Sequence, residues 1–299
     1  MTTKDHRGQG QRAAEEVFVL VHGAWHSSFH WHRLIASLER LGRRAVAIDL
    51  PGHGQNARPA PAVAGADQAA FAQEMSYAAG IGTAHAAQAI IDAVRSLRTQ
   101  LPPIVVAHSV SGSAMTSAAE TAPELFGRLV YLAAFRPAGR KSPAAYAQLP
   151  EAVTGYGGDL FIGNAVETGA VRIDPNGDDA YLERLRLAYY GDVPFHEFQS
   201  YAHALTPDLP TGFWMDEVES TAARWGQVPR TYIRCTRDRA LAPAVQTMMI
   251  QEADRLTPGN LTDVADLPAS HSPFASDPDG LAELLVSLTG RGGNGEERL

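Results

Sequence analysis

The chain has 299 residues, of which 45% are hydrophobic and 19% charged, a composition typical of a folded globular protein. Its formal net charge of −8 at pH 7 and the lack of a Lys/Arg-rich block argue against nucleic acid as a partner. Cys235 is the only cysteine, which excludes an internal disulfide and favours a reducing compartment. Residues 1–16 lack the apolar core of a signal peptide, and no apolar run approaches the roughly 20 residues of a membrane span. The sequence therefore predicts a cytoplasmic protein without a membrane partner.

Strand-like and helix-like segments alternate along much of the chain, which predicts an α/β fold with a mostly parallel sheet flanked by helices. In the first half, the predicted strands cover residues 17–21, 45–49, 104–106 and 129–133, and the predicted helices cover 31–41 and 83–97. The alternation returns with a strand at 230–234, a helix at 244–253, a weak strand at 261–264 and a final helix at 280–288. Residues 57–65, rich in Ala and Pro, are expected to form a surface excursion.

Between these two regions the pattern changes, because aromatic and turn residues crowd together without clear alternation. We interpret residues 138–222 as an inserted, mainly helical cap. The predicted core then comprises residues 16–137 and 223–290. Residues 1–15 are expected to be a disordered N-terminal segment, and residues 291–299 a flexible tail.

The most informative motif is Ala107-His108-Ser109-Val110-Ser111, which follows an apolar run and precedes small residues able to begin a helix. This is the pattern of a nucleophile elbow, a tight strand-to-helix turn that presents a serine hydroxyl. The usual form is G-x-S-x-G, and here Ala107 and Ser111 replace the two glycines with residues that are still small. Because a serine hydroxyl is a weak nucleophile by itself, the motif requires a base and an orienting acid elsewhere in the chain.

Asp238 and His271 are the candidates for these two partners. In a parallel sheet, reactive groups collect in the loops at the carboxyl ends of the strands. Asp238 comes just after the strand at 230–234, and His271 lies in the loop between the last strand and the final helix. The chain order Ser, Asp, His is that of the α/β-hydrolase arrangement. We therefore predict a catalytic triad in which His271 accepts the proton of Ser109 and Asp238 fixes the imidazole tautomer.

A triad of this kind also needs backbone donors for the oxyanion of the tetrahedral intermediate. The N–H of Val110, directly after the nucleophile, is one candidate. The other is the N–H of Ala24, in the loop after the first strand. The candidate residues of the substrate pocket are aromatic: Trp25, Phe135, Phe198 and Trp214.

Four segments of the sequence resemble one branch of the α/β-hydrolase superfamily. They are VFVLVHGAWH (17–26), DLPGHG (49–54), AHS (107–109) and CTRD (235–238). The branch holds plant methylesterases and hydroxynitrile lyases, with bacterial esterases and polyketide-tailoring hydrolases as relatives. The resemblance covers the core and stops short of the cap. It implies a nucleophile at Ser109, an acid at Asp238, a base at His271 and oxyanion amides at Ala24 and Val110.

Two departures from the branch bear on the reaction. The lyases resemble each other in a Thr after the histidine of the first strand and in a Lys after the catalytic histidine, whereas this chain has Gly23 and Ser272. Without that hydroxyl and that positive charge little would stabilise a departing cyanide, so lyase activity is not expected. In addition, no carboxylate follows the strand at 129–133, where relatives sometimes place the acid, which favours Asp238.

The sequence therefore predicts a cofactor-free serine hydrolase that cleaves a small-molecule carboxylic ester, methyl esters included, through an acyl-enzyme. The alternative is a thioesterase or lactonase acting on a polyketide-like acyl substrate. A third hypothesis is a receptor that keeps the fold and only binds a ligand. No metal site is predicted: His30 and His32 lie at i and i+2, which do not share a helix face, and no nearby carboxylate or cysteine completes a site with His26.

Overall fold

The structure is a computed structural model that describes residues 16–58, 68–154 and 160–289. The expected N-terminal segment (1–15), the expected tail (291–299) and most of the expected excursion (57–65) lie outside the described residues. None of the helices in the described ranges is long and apolar enough to cross a membrane.

Eight strands are present in the described residues. In chain order they are β1 (Phe18–Val21), β2 (Ala45–Ile48), β3 (Ile104–His108), β4 (Arg128–Leu132), β5 (Ala170–Arg172), β6 (Asp208–Pro210), β7 (Arg230–Cys235) and β8 (Asp263–Leu267). Six of them form one wholly parallel sheet in the order β2-β1-β3-β4-β7-β8, and β5 pairs with β6 in a small antiparallel sheet. The central strands β1, β3 and β4 are buried along their whole length, as near-continuous apolar runs require when helices cover both faces of a sheet.

Twelve α-helices lie in the same described ranges of the chain. In chain order they are α1 (His32–Arg40), α2 (Gln68–Gln73), α3 (Thr83–Ser96), α4 (Ser111–Thr121), α5 (Pro143–Ala147), α6 (Ala165–Thr168), α7 (Asp179–Tyr189), α8 (Phe195–Ala202), α9 (Thr211–Met215), α10 (Pro243–Leu256), α11 (Pro273–Ser276) and α12 (Pro278–Ser287). Short 3-10 helices cover Ser28–Trp31, Gly54–Asn56, Pro123–Leu125, Pro150–Ala152 and Trp225–Gln227. The fold is the predicted α/β-hydrolase architecture, a parallel six-stranded sheet flanked by helices.

The last strand lies further along the chain than predicted. The sequence placed it at 261–264, whereas β8 covers Asp263–Leu267 and pairs with β7 from Thr231 to Cys235. It is an edge strand, and edge strands tolerate charged residues that obscure the apolar pattern. Its Asp266 pairs with Arg234 of the neighbouring strand at 2.7 Å, so side-chain charge as well as the backbone ladder fixes the register.

The segment between β4 and β7 contains helices α5 to α9, as expected for a mainly helical insertion, together with the unpredicted strands β5 and β6. These strands have three residues each, too few for a periodic pattern to reveal. Arg172 of β5 and Asp208 of β6 form a buried two-point ion pair, with Nε–Oδ1 at 2.6 Å and a second nitrogen–Oδ2 distance of 2.9 Å. This pair fixes the register of the small sheet.

Candidate active site

The structure brings together the three side chains that the sequence predicted as a triad. Ser109 follows β3, Asp238 follows β7 and His271 follows β8, so all three lie at the carboxyl edge of the parallel sheet. The Ser109 Oγ lies 3.0 Å from Nε2 of His271, and Nδ1 of His271 lies 2.7 Å from Oδ2 of Asp238. All three residues are buried. The hydroxyl is thus placed to donate to Nε2 while Nδ1–H donates to the carboxylate.

The turn at Ser109 has the strained backbone of a nucleophile elbow. Ser109 has φ +56°, a left-handed conformation that costs a non-glycine residue about 1–3 kcal/mol. Its carbonyl accepts hydrogen bonds from the N–H of Gly112 at 3.2 Å and of Phe135 at 2.9 Å. The crowded position of the turn is Gly112, where a Cβ would lie 2.2 Å from the carbonyl oxygen of Phe135. Ser111 occupies the position of the missing glycine without such crowding and donates its hydroxyl to the carbonyl of His22.

Asp238 is held by four donors. Its Oδ1 accepts from the N–H of Ala240 and of Leu241, both at 2.8 Å. Its Oδ2 accepts from His271 and, at 3.2 Å, from Nε2 of Gln246 on α10. Together these four donors leave the carboxylate a single orientation. The sequence analysis did not single out Gln246, because nothing in a helical pattern marks one buried glutamine as a partner of a loop aspartate.

His108, the residue before the nucleophile, supports the loop that carries His271. Its Nε2–H donates to the backbone carbonyl of His271 at 2.9 Å, and the two rings lie 4.6 Å apart. Burial lowers the pKa of His108 well below its usual value, so the ring is neutral and keeps its one proton on Nε2. The only N–H of the His108 ring is therefore used in the hydrogen bond to the backbone carbonyl of His271.

The predicted oxyanion amides border the same space as the nucleophile. Ala24 and Val110 both line the cavity beside Ser109. Among the described residues, neither N–H donates to another protein group. Val110 is also the N-cap residue of α4, so its amide lies at the positive end of a helix dipole. Backbone amides without a protein partner beside a nucleophile are the kind of group that can stabilise a developing negative charge on a substrate oxygen.

Gly23 explains why the lyase pattern does not fit here. A Cβ at this position would lie 2.6 Å from Nδ1 of His108 and 2.9 Å from Cβ of Ser109. The His108 ring cannot readily withdraw, because it packs edge-on against Trp31 and Phe274. A threonine at position 23 would therefore displace the elbow itself.

Replacing Gly23 by alanine is expected to lower the free energy of unfolding by about 1–3 kcal/mol, the usual cost of overpacking a close-packed site. Urea denaturation measures it. Gly259→Ala is the matched control, because a Cβ there meets no atom within 4 Å. Equal unfolding midpoints for the two variants would contradict this prediction.

A cavity of about 500 Å³ opens beside the triad. Its wall is largely apolar and contains five aromatic side chains: Trp25, Phe135, Phe161, Tyr189 and Trp214. Two polar residues of the wall are already engaged: Arg172 in its ion pair, and Asn164 in accepting from the N–H of Val166 at 3.0 Å. The cavity therefore suits an apolar group attached to a polar group at Ser109.

Of the four aromatic residues predicted to line the pocket, Trp25, Phe135 and Trp214 do so, and Phe198 does not. Phe198 is fully buried on α8, with its ring 5.1 Å from that of Tyr190, because this face of the helix packs inside the cap. Tyr189 takes a place that the sequence analysis did not assign: its ring lies 5.8 Å from the His271 ring. Tyr189 and Tyr190 are adjacent in the chain, and only the packing decides which of them faces the cavity.

The clustered histidines near the N-terminus have structural partners. His30 accepts from the N–H of Ser27 at 3.0 Å and donates to the carbonyl of Tyr201 at 3.3 Å. The exposed His32 contacts the carbonyl of Phe29 at 2.9 Å. Within the part of the chain that the structure describes, no group of three or more His, Cys, Asp or Glu side chains is arranged to hold a metal ion.

The model of the alpha/beta hydrolase family matches residues 18–284. The chain belongs to this family. A pyrethroid hydrolase from Sphingobium wenxiniae is 27% identical over 279 residues, which cover 90% of this chain and 86% of that protein. Methylesterase 2 from Arabidopsis thaliana is 24% identical over 287 residues, covering 92% and 96% of the two chains. These relatives support a carboxylic ester hydrolase.

Solved structures agree on the fold of this family member. A pyrethroid hydrolase from Sphingobium faniae JZ-2 superimposes with a TM-score of 0.70 at 26% identity, covering 91% of this chain and 96% of that one. Polyneuridine aldehyde esterase superimposes with a TM-score of 0.69 at 20% identity, covering 92% and 99%. Two further Arabidopsis methylesterases similar to this chain are chloroplastic by name, so the cytoplasmic location stays a prediction.

Proposed function

We propose that this protein hydrolyses carboxylic esters through a Ser109–His271–Asp238 triad and an acyl-enzyme intermediate. The observation that carries the proposal is the continuous hydrogen-bonded line from Ser109 Oγ through His271 to Asp238. It begins at the wall of an apolar cavity and ends at a carboxylate whose two oxygens both accept hydrogen bonds. This is the geometry by which a serine hydroxyl becomes a nucleophile.

In the first half of the reaction, Ser109 Oγ attacks the carbonyl carbon of the ester while its proton passes to Nε2 of His271. The negative charge that develops on the carbonyl oxygen meets the amides of Ala24 and Val110. Asp238 stabilises the imidazolium by accepting from Nδ1–H. The tetrahedral intermediate then collapses, the C–O bond to the alcohol breaks, and His271 returns the proton to the leaving oxygen. The acyl group remains on Ser109.

In the second half, water takes the place of the alcohol. His271 accepts a proton from the water as its oxygen attacks the acyl carbon, and the same two amides meet the second oxyanion. Collapse breaks the bond to Ser109 Oγ, which recovers its proton from His271. The carboxylic acid leaves and the free enzyme is restored.

Two features support an ester with one sizeable apolar group. The aromatic wall offers apolar contact rather than charge, and the similar proteins include ones named methylesterase and pyrethroid hydrolase. We include methyl esters among the proposed substrates. We also propose residues 138–222 as the cap that shapes this cavity, since Phe161, Tyr189 and Trp214 all come from it.

A fluorophosphonate probe tests the proposal directly, because it phosphonylates only an activated serine. We expect the wild-type protein to be labelled and Ser109→Ala to be unlabelled. Ser113→Ala is the matched control: this buried hydroxyl, four residues after Ser109 on α4, has no hydrogen-bond partner among the described residues, so labelling should persist. An unlabelled wild-type protein would favour the receptor hypothesis and overturn the proposed function.

Rates on a panel of methyl esters, p-nitrophenyl esters, acyl thioesters and lactones then distinguish the acyl substrates. We expect the largest kcat/KM on an oxygen ester with an aromatic or branched apolar group. A clear preference for thioesters or lactones would identify the alternative thioesterase or lactonase activity instead.

A further inference from the structure

We propose that Tyr190 and His26 form a hydrogen-bonded relay that positions the oxyanion loop, so that a residue of the cap sets the geometry of catalysis in the core. The proposal rests on the proposed function, because it concerns the loop that carries the Ala24 amide. It assigns positioning roles to two residues that contact neither the nucleophile nor the cavity.

The relay consists of two short contacts in series. The hydroxyl of Tyr190 lies 2.6 Å from Nε2 of His26, and Nδ1 of His26 lies 2.5 Å from the carbonyl oxygen of Ala24. Both side chains are buried, at 1% and 3% exposure. Tyr190 follows α7 in the cap, whereas His26 and Ala24 belong to the loop after β1. The relay therefore links the cap to the core through two hydrogen bonds, one between two side chains and one from a side chain to a backbone carbonyl.

The chemistry of the acceptors fixes the direction of both bonds. A carbonyl oxygen only accepts, so Nδ1 of His26 carries the proton and donates to Ala24. Burial lowers the pKa of His26 well below its usual value, so the ring is neutral and Nε2 keeps its lone pair. Tyr190 must then donate its O–H to Nε2. Tyr190 therefore donates to His26, and His26 donates to the Ala24 carbonyl. Neither hydrogen bond can run in the opposite direction.

A hydrogen bond to the Ala24 carbonyl can restrict the backbone of Ala24, because the loop around it is tight. The N–H of His26 donates to the carbonyl of Gly23 at 3.3 Å, and Trp25 has φ +61°. A non-glycine residue in this region needs support from its surroundings. Holding the Ala24 carbonyl limits rotation of Ala24 and so fixes where its N–H points.

The cap end of the relay is itself anchored beside the proposed base. Asp192, two residues after Tyr190, accepts from the backbone N–H of Ser270 at 2.8 Å and also from its hydroxyl. Ser270 directly precedes His271. The ring of Tyr190 is further held against Phe198 and Tyr201, at 5.1 and 5.6 Å. The donor of the relay is thus fixed relative to the loop of the base.

Single substitutions separate positioning from packing. Tyr190→Phe keeps the ring contacts and removes only the O–H, while Tyr181→Phe, on the preceding helix α7, is the matched control. The Tyr181 hydroxyl donates to the carbonyl of Leu160 at 2.8 Å, a contact within the cap. We expect Tyr190→Phe to lower kcat about 10-fold with KM within about twofold, less than the roughly 10²–10³ for losing an oxyanion donor. Tyr181→Phe should keep the wild-type kcat.

Two substitutions of His26 test the direction of the relay. The amide nitrogen of Asn can replace Nδ1 and donate to Ala24, whereas that of Gln replaces Nε2 and reaches only towards Tyr190. We expect His26→Asn to resemble Tyr190→Phe, and His26→Gln to lose about 100-fold in kcat. The double variant His26→Asn/Tyr190→Phe should be no slower than His26→Asn alone, because the relay is already broken.

Fluorophosphonate labelling of every variant distinguishes failure of the proposed ester hydrolysis from failure of the proposed relay. If the wild type is unlabelled and inactive, the proposed function fails and the relay with it. If the wild type is labelled and active, equal kcat for Tyr190→Phe and Tyr181→Phe, or a faster His26→Gln than His26→Asn, overturns the relay alone. A rise in KM as large as the fall in kcat for both His26 variants would also overturn it, since that indicates general disturbance of the cavity.

Discussion

Replacement of His271 by alanine is expected to lower kcat for ester hydrolysis by about 10⁶-fold, the size of effect seen when a triad loses its base. Among the described residues, this ring supplies the only base within hydrogen-bond distance of Ser109 Oγ. The neighbouring His108 cannot replace it, because its Nε2–H is bound to the backbone carbonyl of residue 271. KM should change little, since the cavity wall keeps its aromatic side chains. Residual activity should come from the oxyanion amides.

Steady-state kinetics on a p-nitrophenyl ester, at enzyme concentrations high enough to detect slow turnover, measures the loss. His203→Ala is the matched control, because this exposed histidine lies at the end of α8 and is not among the residues that line the cavity. If His271→Ala kept more than a hundredth of the wild-type kcat, the base would have to lie elsewhere.

The three residues of the triad could be predicted from the sequence because the topology of a parallel sheet brings the loops after its strands to one edge. Once three strands end at the same edge, residues 162 and 33 positions apart in the chain meet within hydrogen-bond distance, as Ser109 and Asp238 each do with His271. The elbow motif fixes the serine locally, and its substitutions at Ala107 and Ser111 proved compatible with the turn. Fold class and the placement of these three residues thus followed from local patterns plus one topological rule.

The strands and short helices within residues 138–222 escaped prediction for the opposite reason. Strands of three residues and helices of four or five leave no periodic signal, and their positions depend on contacts with distant segments. Phe198 and Tyr189 show the consequence: both are cap aromatics, yet one is buried inside the cap and the other lines the cavity. Gln246 and His26 were missed likewise, since the contact of Gln246 with Asp238 and that of His26 with Tyr190 depend on how the loops fold.

Replacement of Asp238 by asparagine should lower kcat by about 10⁴-fold while leaving the fold intact. The loss follows from the orientation of the new side-chain amide, whose oxygen and NH₂ group must take the two positions of the carboxylate oxygens. The N–H groups of Ala240 and Leu241 both point at Oδ1, and an NH₂ group there would face two donors. The amide oxygen therefore takes that position, and the NH₂ group faces Nδ1 of His271.

An NH₂ group at that place can only donate, so Nδ1 must become the acceptor and the imidazole proton moves to Nε2. Nε2–H then faces Ser109 Oγ and cannot accept its proton. The variant should bind substrate with a near-normal KM and turn it over slowly. Asp266→Asn is the matched control, because this half-exposed carboxylate pairs with Arg234 at the edge of the sheet; its kcat should stay within about twofold of wild type.

The double variant Asp238→Asn/His271→Ala decides whether the acid acts through the base. If Asp238 serves only to hold and stabilise the imidazole, the double variant should be no slower than His271→Ala alone, because residues that act as one unit are strongly non-additive. A further fall of about 10⁴-fold would mean that Asp238 contributes by another route, such as holding the loop at Ala240 and Leu241 that borders the cavity. Unfolding midpoints of the two single variants would then separate those contributions, since a looser loop lowers stability and a reversed tautomer does not.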